Sequence, residues 1–122
     1  MTKIHFITVN YKQDSFVRSL MQDITPFDDC FLTIIDNSRT MEEIRSDRYQ
    51  IIGSDNIGYL PGLKKGLNYT ELKINQKVVL LNPDIKITTH FIETVKTTTL
   101  KRYDMFAPSV IDLETGVDQN PN

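Results

Sequence analysis

Two kinds of segment alternate along the chain, distinguished by how their apolar residues are spaced. Short continuous runs of β-branched and aromatic residues are typical of buried strands, and between them apolar residues return at helical spacing. The predicted strands are residues 4–9, 31–35, 49–52, 77–81 and 105–111. Strands that alternate with helices pair in parallel through crossover connections. We therefore expect an α/β fold, with a mostly parallel sheet and helices on both faces.

Helical spacing predicts four helices between these strands. The first starts near Asp14, with Asp14 or Ser15 available as its cap. A short helix is predicted around residues 41–44, and a third at residues 61–72, with a proline in its first turn. The fourth is predicted around residues 91–95.

Polar residues follow four of the predicted strands, at the point where each strand ends. In an open parallel sheet the carboxyl ends of the strands meet at one edge, where ligands bind. One polar strand end is ordinary because helices need caps, but four on one edge indicate a site. The residues are Asn10 and Tyr11, Asp36 to Ser38, Ser54 to Tyr59, and Asn82 to Asp84.

The sequence Asn82-Pro83-Asp84 has the chemistry of a cation site. A central strand must end near Pro83, which cannot donate a ladder hydrogen bond. Side chains two residues apart in an extended segment share a face, so Asn82 and Asp84 can point at one ligand. Mg²⁺ or Mn²⁺ prefers such oxygen ligands together with substrate phosphates. The alternative is a polar turn in which Asp84 caps the next helix.

Asp36 and the glycines near residue 60 also allow two interpretations each. The Asp36 carboxylate can accept hydrogen bonds from a base or a ribose, or it can form a turn or cap. Gly58, Gly62 and Gly66 would let a helix approach the sheet closely, with its N-terminus facing an anion. The alternative is a glycine seam used only for packing. Tyr59, like the tyrosine at position 11, could flank a base or sugar, or form part of the rim.

Composition restricts the classes of partner and compartment. The length of 122 residues indicates one domain, and a net charge of -2 argues against nucleic acid as a partner. Cys30, in an apolar run, is expected to be a buried structural thiol. His5 and His90 have no neighbouring ligand residues, so we expect neither to bind metal or act as a base. No apolar run approaches the roughly 20 residues of a membrane span, and we expect a cytoplasmic protein.

Taken together, these segments resemble the family-2 glycosyltransferases of the GT-A fold, especially the bacterial rhamnosyltransferase-like branch. The resemblance covers nearly the whole chain, in the family's order and spacing, and implies a Rossmann-like nucleotide-binding half. The matching segments are ITVNY (7–11), IIDNS (34–38), NIGYLPGLKKGL (56–67), VVLLNPD (78–84) and APSVIDLETG (107–116).

The resemblance also implies residue roles. The segment after the first strand would line the base pocket, and Asp36 would hydrogen-bond a pyrimidine. Asn82-Pro83-Asp84 would stand in for the family's D-x-D motif, with Asp84 holding Mg²⁺ or Mn²⁺ on the diphosphate. The expected nucleotide-sugar-binding residues are Val9, Asn10, Tyr11, Asp36, Asn37, Asn56, Gly58 and Asn82, and the expected metal ligand is Asp84.

The function implied is inverting transfer from a UDP-, dTDP- or GDP-linked sugar to a glycan or lipid-linked acceptor. The family's acceptor-binding half and catalytic base are expected beyond residue 122, so residues 1–122 would be the donor-binding portion. Homo-oligomers, and peripheral membrane association through parts outside this chain, are compatible with the resemblance. One alternative is a non-catalytic nucleotide-sugar-binding or interaction module. A sugar nucleotidyltransferase is disfavoured, because NYKQD replaces a glycine-rich triphosphate loop after the first strand.

Overall fold

The computed structural model describes residues 2–73 and 75–98. These residues form five strands and three helices. In chain order they are β1 (Ile4–Asn10), α1 (Asp14–Ile24), β2 (Cys30–Asp36), β3 (Ile44–Arg45), β4 (Tyr49–Gly53), α2 (Tyr59–Asn68), β5 (Lys77–Leu81) and α3 (Thr89–Thr97).

The strands form one sheet in the order β3-β4-β2-β1-β5. The three pairings among β4, β2, β1 and β5 are parallel, and only the two-residue β3 pairs antiparallel with β4. The register aligns Asn10 with Asp36, and Asp36 with Gly53, so three strands end at nearly the same level. The predicted α/β class with a mostly parallel sheet is confirmed.

Each face of the sheet carries its own apolar core, because alternate residues of a strand point to opposite faces. On β1, Ile4 and Phe6 belong to the core shared with α1 and α3. Ile7 and Val9 belong to the core shared with α2, to which Leu63 contributes. Helices therefore cover both faces, as the uninterrupted apolar runs predicted.

Two glycines place α2 directly against β1. A Cβ atom on Gly66 would lie 2.5 Å from Ile7 Cγ2, and one on Gly62 would lie 2.7 Å from Val9 Cγ2. Both distances are too short for a real carbon contact, so only glycine permits this approach. As a result, the N-terminus of α2 lies over the carboxyl end of β1.

The short helix predicted around residues 41–44 is wrong. The Met41 N–H donates to Asp36 Oδ2 at 2.8 Å, and Glu43 Oε1 accepts the N–H of Gly53 at 2.7 Å. Ile44 then pairs with β4 as part of β3. These bonds to the ends of β2 and β4 hold the segment extended and override its local helix propensity.

Helix boundaries differ from the prediction in two places. Asp14 is the first residue of α1 rather than its cap, and Gln13, at the cap position, makes no side-chain cap bond. Helix α2 begins at Tyr59 and ends at Asn68, short of the predicted residue 72. Just beyond its end, the Thr70 hydroxyl donates to the Gly66 carbonyl at 2.8 Å. The predicted strand at 105–111 and the segment APSVIDLETG lie outside the described residues.

Cys30 is buried at the start of β2, as predicted. Burial raises the pKa of its thiol to about 12, and the adjacent Asp29 carboxylate adds to the effect. A thiol of this kind carries no thiolate near neutral pH, which agrees with a structural role. Within residues 2–73 and 75–98, no helix is both long and apolar enough to cross a membrane.

A polar cavity at the carboxyl edge of the sheet

The strand order reverses at β1, and this reversal marks where a ligand can bind. From β1 the chain moves outward on one side through β2 to β4, and β5 then pairs with the other side of β1. The chain leaves β1 toward β2 on one side and reaches β5, on the other side, through α2, so a crevice can open at the carboxyl ends of β1 and β5.

A cavity of about 430 Å³ occupies this crevice. Seven of the nine residues predicted for the site line it, and the two exceptions are Asn10 and Asp36. Gln13, Tyr59 and Pro83 complete the lining. The described residues that line the cavity are Val9, Tyr11, Gln13, Asn37, Asn56, Gly58, Tyr59, Asn82, Pro83 and Asp84.

Asn10 lies beneath the cavity rather than on its wall, and it is fully buried. Its amide Nδ2 donates to Asp36 Oδ1 at 3.1 Å and to Asp14 Oδ1 at 2.8 Å. Its Oδ1 accepts the N–H of Gln13 at 2.9 Å. Asn10 thus ties the end of β1 to the end of β2 and to the start of α1. Hydrogen bonds from the Thr40 hydroxyl and from Asn10 Nδ2 hold the pKa of Asp14 below its usual range.

Asp36 is also fully buried, and its carboxylate organises the loop that follows β2. Its Oδ1 accepts the Ser38 N–H at 3.2 Å and the Ser38 hydroxyl at 2.9 Å, in addition to the bond from Asn10. Its Oδ2 accepts the N–H of Met41 at 2.8 Å. The predicted turn-forming role is present, and a direct contact with a base stays a prediction.

Asn37 connects β2 to the turn before α2. Its Nδ2 donates to the Gly58 carbonyl at 3.0 Å, and its N–H donates to the Asn10 carbonyl at 2.8 Å. Gly58 has φ +91°, which residues with a Cβ rarely adopt, so this turn requires glycine. Asn37 is 5% exposed, and its Oδ1 makes no hydrogen bond with any described residue. Asn37 therefore contributes to the cavity wall a buried amide acceptor that no described residue satisfies.

The N-terminus of α2 faces the same cavity. Gly62 is the first residue whose N–H bonds back into the helix, at 3.1 Å from the Gly58 carbonyl. The N–H groups of Tyr59 and Leu60 precede that bond, and Pro61 has none. Two free donors and the positive end of the helix dipole favour an anionic group here.

Asn82 and Asp84 project from a turn that begins where β5 ends. The Ile85 N–H donates to the Asn82 carbonyl at 3.3 Å, and both side chains are exposed at the cavity. Asp84 is not the cap of α3, because Thr88 Oγ1 accepts the N–H of Phe91 in that role. Among the described residues, the Asp84 carboxylate has no hydrogen-bond or ion-pair partner.

Tyr59 lies between the helix terminus and this turn. Its hydroxyl donates to the Leu81 carbonyl at 3.3 Å. Burial raises its pKa, and the negative charge of Asp84 raises it further. The phenol is therefore a neutral donor near pH 7, beside a carboxylate that stays available to a ligand.

The residues fit a divalent cation only if a ligand supplies part of its coordination shell. Within the described part of the chain, no group of three or more His, Cys, Asp or Glu side chains could hold a metal alone. Asp84 offers one carboxylate and Asn82 one amide oxygen. Mg²⁺ is commonly bound by one or two carboxylates with substrate phosphates and water, so a cation shared with a diphosphate fits.

Sequence reasoning did not identify Gln13 as a lining residue. Lys12 adopts φ 56°, which turns the chain so that Gln13 reaches the cavity while Tyr11 stays exposed. Only its position in the sequence could have identified Gln13, since every residue between β1 and α1 lies at the carboxyl edge.

Comparisons of the chain with protein-family models, curated proteins and solved structures found no significant match.

Proposed function

We propose that the carboxyl-edge cavity binds the nucleoside diphosphate of a nucleotide sugar. On this proposal the chain is the donor-binding portion of an inverting glycosyltransferase with a GT-A, Rossmann-like nucleotide-binding half. One observation carries the proposal: residues from four separate strand ends, chosen from sequence as contacts of one ligand, line one cavity.

The base and ribose would lie at the β1 and β2 side of the cavity. Val9 and the exposed Tyr11 offer apolar and aromatic surface against which a base can pack. The uncommitted Oδ1 of Asn37 can accept a hydrogen bond from a base N–H or a ribose hydroxyl. Asn10 and Asp36 would act beneath them, by fixing the positions of these groups.

The diphosphate would lie between α2 and the turn after β5. The free N–H groups of Tyr59 and Leu60 can donate to phosphate oxygens. Asp84, with Asn82 beside it, would hold Mg²⁺ or Mn²⁺ against the same phosphates. The cation supplies neutralisation of the charge that develops on a departing diphosphate.

The reaction proposed for the complete enzyme is attack of an acceptor hydroxyl, in line, on the anomeric carbon of the sugar. The bond from that carbon to the diphosphate breaks, and a general base takes the hydroxyl proton. Asp84 provides the one carboxylate in the described lining of the cavity, and it is already assigned to the cation. The base is therefore expected to come from outside the described residues.

The single carboxylate in the described lining also favours one alternative, a non-catalytic module that holds a nucleotide sugar. A cavity with one carboxylate and no second acidic group in its described lining can bind a donor without activating an acceptor. The two functions share the binding step and differ only in turnover.

Calorimetric titration of the chain with UDP, dTDP and GDP, each with and without Mn²⁺, tests the proposal. We expect at least one diphosphate to bind with one-to-one stoichiometry, and more tightly when Mn²⁺ is present. No binding heat for any of the three would contradict both the donor site and its non-catalytic alternative.

Two exposed aromatic residues provide a matched pair of variants. Tyr11 and Phe16 are 45% and 49% exposed, but only Tyr11 lines the cavity. We expect Tyr11→Ala to weaken nucleotide binding about two- to tenfold through the lost ring contact. Phe16→Ala should leave nucleotide affinity unchanged. Equal effects of the two variants would contradict the placement of the nucleotide base against Tyr11.

A further inference from the structure

A second cavity, of about 450 Å³, lies at the opposite end of the sheet. His5 at the start of β1 lines it, whereas Val9 on the same strand lines the first cavity. Their Cα atoms are about 13 Å apart at the ordinary rise of a strand. Tyr69, the C-cap of α2, forms another part of its wall. The two ends of β1 and α2 therefore carry separate cavities.

The hydrogen bonds of Gln76 determine which ring nitrogen of His5 carries the proton. Gln76 Nε2 donates to the Thr2 carbonyl at 2.9 Å, and its Oε1 accepts the Lys73 N–H at 2.8 Å. The amide orientation is thus fixed, with its oxygen 3.1 Å from His5 Nε2. Since an amide oxygen can only accept, Nε2 of the imidazole carries the proton and donates. The lone pair of the neutral ring is then on Nδ1.

His5 is 8% exposed, and its Nδ1 makes no hydrogen bond with any described residue. Burial lowers the pKa of the imidazole, an effect that the bond to Gln76 opposes only in part. The ring is therefore neutral near pH 7, and Nδ1 is a buried acceptor that no described residue satisfies, on a residue that lines the cavity.

The other groups around the cavity restrict the chemistry of that ligand. Arg45 and Lys73 are balanced by Asp47 and Glu71, so the lining has no net charge to attract an anion. Among described residues there is also no cluster of His, Cys, Asp and Glu suited to a metal ion. The remaining lining is neutral and polar, with ring surface from two aromatic residues.

Part of this wall is held rigid by internal hydrogen bonds. Gln50 Nε2 donates to Thr33 Oγ1 at 3.0 Å and to the Tyr69 carbonyl at 3.4 Å. Gln50 Oε1 in turn accepts from Arg45 Nη1 at 2.8 Å. A ligand would meet positioned polar groups and would order little of the protein on binding.

We propose that this amino-end cavity binds a neutral saccharide. One sugar hydroxyl donates to His5 Nδ1 after a small local movement that uncovers this atom, and the apolar face of the sugar packs against Tyr69. Saccharides combine neutral charge, several hydroxyl donors and an apolar face, which are the three properties that the lining selects. The cavity also falls within the roughly 300–1,000 Å³ typical of small-molecule sites. This site does not depend on the nucleotide site at the other end of β1.

The test is an amide-resolved NMR titration of the ¹⁵N-labelled chain with methyl α-L-rhamnopyranoside, methyl β-D-galactopyranoside and inorganic phosphate. At least one glycoside should cause saturable shifts at His5, Gln50 and Tyr69, while Gly58 stays unchanged. The inference is overturned if neither glycoside shifts these amides, if the shifts lie only at the carboxyl edge, or if phosphate alone binds.

Two substitutions of His5 separate the contributions of its two ring nitrogens to glycoside binding. His5→Gln keeps an amide donor near the Nε2 position but offers no acceptor near Nδ1, whereas His5→Asn keeps an acceptor there. We expect His5→Gln to weaken glycoside binding about three- to tenfold, the value of one neutral hydrogen bond, and His5→Asn to retain it. Wild-type affinity in His5→Gln overturns the inference.

A variant on the cavity rim covers the case in which His5→Gln does not fold. Tyr69 is 52% exposed, so Tyr69→Ala removes ring surface without opening the core. Its glycoside affinity should fall. Unchanged affinity in Tyr69→Ala contradicts the proposed saccharide contact.

Discussion

Two aspartates, one at the end of β2 and one just after β5, show how environment separates roles at the residue scale. Asp36 is fully buried and accepts four hydrogen bonds, from Asn10, Met41 and two groups of Ser38. Asp84 is exposed at the cavity and accepts none from a described residue. The first carboxylate is committed to the fold, and the second is available to a ligand.

Asp84→Ala should remove the metal-dependent part of nucleoside diphosphate binding. The variant loses the one carboxylate that the described residues contribute to the cavity, so Mn²⁺ should no longer raise the affinity measured by calorimetry. Asp55→Ala is the matched control, because that exposed carboxylate pairs with Arg39 outside the cavity. If Mn²⁺ strengthens binding equally in Asp84→Ala and wild type, the metal assignment is wrong.

Asp36→Asn should lower stability. The neutral amide cannot accept all four bonds, and a hydrogen bond to a charged group contributes about 1.5–3 kcal/mol. We expect a fall of that order in the free energy of unfolding, measured by urea denaturation, together with weaker nucleotide binding as the loop carrying Asn37 loosens. Asp55→Asn should change neither. Unchanged stability with lost affinity would instead indicate that Asp36 contacts the base directly.

The identity of the residues near the site could be predicted from sequence, but their exposure could not. Asn10 and Asp36 were chosen because polar residues directly follow apolar strands, and both do lie at the carboxyl edge. Their burial depends on Met41 and Ser38, which reach back over them from a loop of no regular pattern. Contacts of this kind leave no periodic signal.

At the scale of elements, the approach of α2 to β1 sets the geometry of the cavity. Gly62 and Gly66 remove the side chains that would hold the helix away, and Gly58 provides the turn into it. The two interpretations of these glycines are therefore compatible. They allow α2 to pack closely on β1, and that packing places the N-terminus of α2 at the cavity.

Gly66→Ala should destabilise the protein despite the better helix propensity of alanine. Its Cβ would lie 2.5 Å from Ile7 Cγ2, an overpacking that typically costs about 1–3 kcal/mol. Thermal or urea unfolding should show a net loss, whereas Lys64→Ala, on the exposed side of the same helix, should show little change. Equal or greater stability in Gly66→Ala would mean that the helix does not require this close packing.

Elements with a clear hydrophobic pattern of their own were predicted well. Elements whose structure depends on contacts with other parts of the chain were not. Strand β5 was predicted with its observed ends, because its apolar run is bounded by polar residues. The segment at 41–44 looks helical locally, yet Glu43 and Ile44 bond with β4 instead. The order of strands in the sheet follows from packing across the chain, and the sequence did not specify it.

For the molecule as a whole, the strand order brings the two most informative sequence motifs together. The segment after β1 and the turn after β5 are more than 70 residues apart in sequence, yet they face each other across one crevice. The proposed donor site depends on that reversal at β1, which neither motif encodes alone.

We expect the 122-residue chain to bind a nucleoside diphosphate without transferring a sugar. General-base catalysis contributes about 10²- to 10⁴-fold, and the described cavity offers no carboxylate beyond Asp84 to supply it. Incubation with nucleotide sugars and rhamnosyl or galactosyl acceptors, followed by a product assay, should give background turnover. Robust transfer would contradict the donor-binding interpretation and require a base among Asp55, Asp112 and Glu114.

The most direct test of the account is to locate the nucleotide on the protein. Amide NMR shifts of the ¹⁵N-labelled chain can be recorded on adding UDP, dTDP or GDP with Mg²⁺. The account predicts that at least one diphosphate shifts Tyr11, Asn37, Gly58 and Asp84 together, while Gln50 at the opposite end stays unchanged. Shifts centred on the amino-end cavity, or no shifts with any of the three, would contradict it.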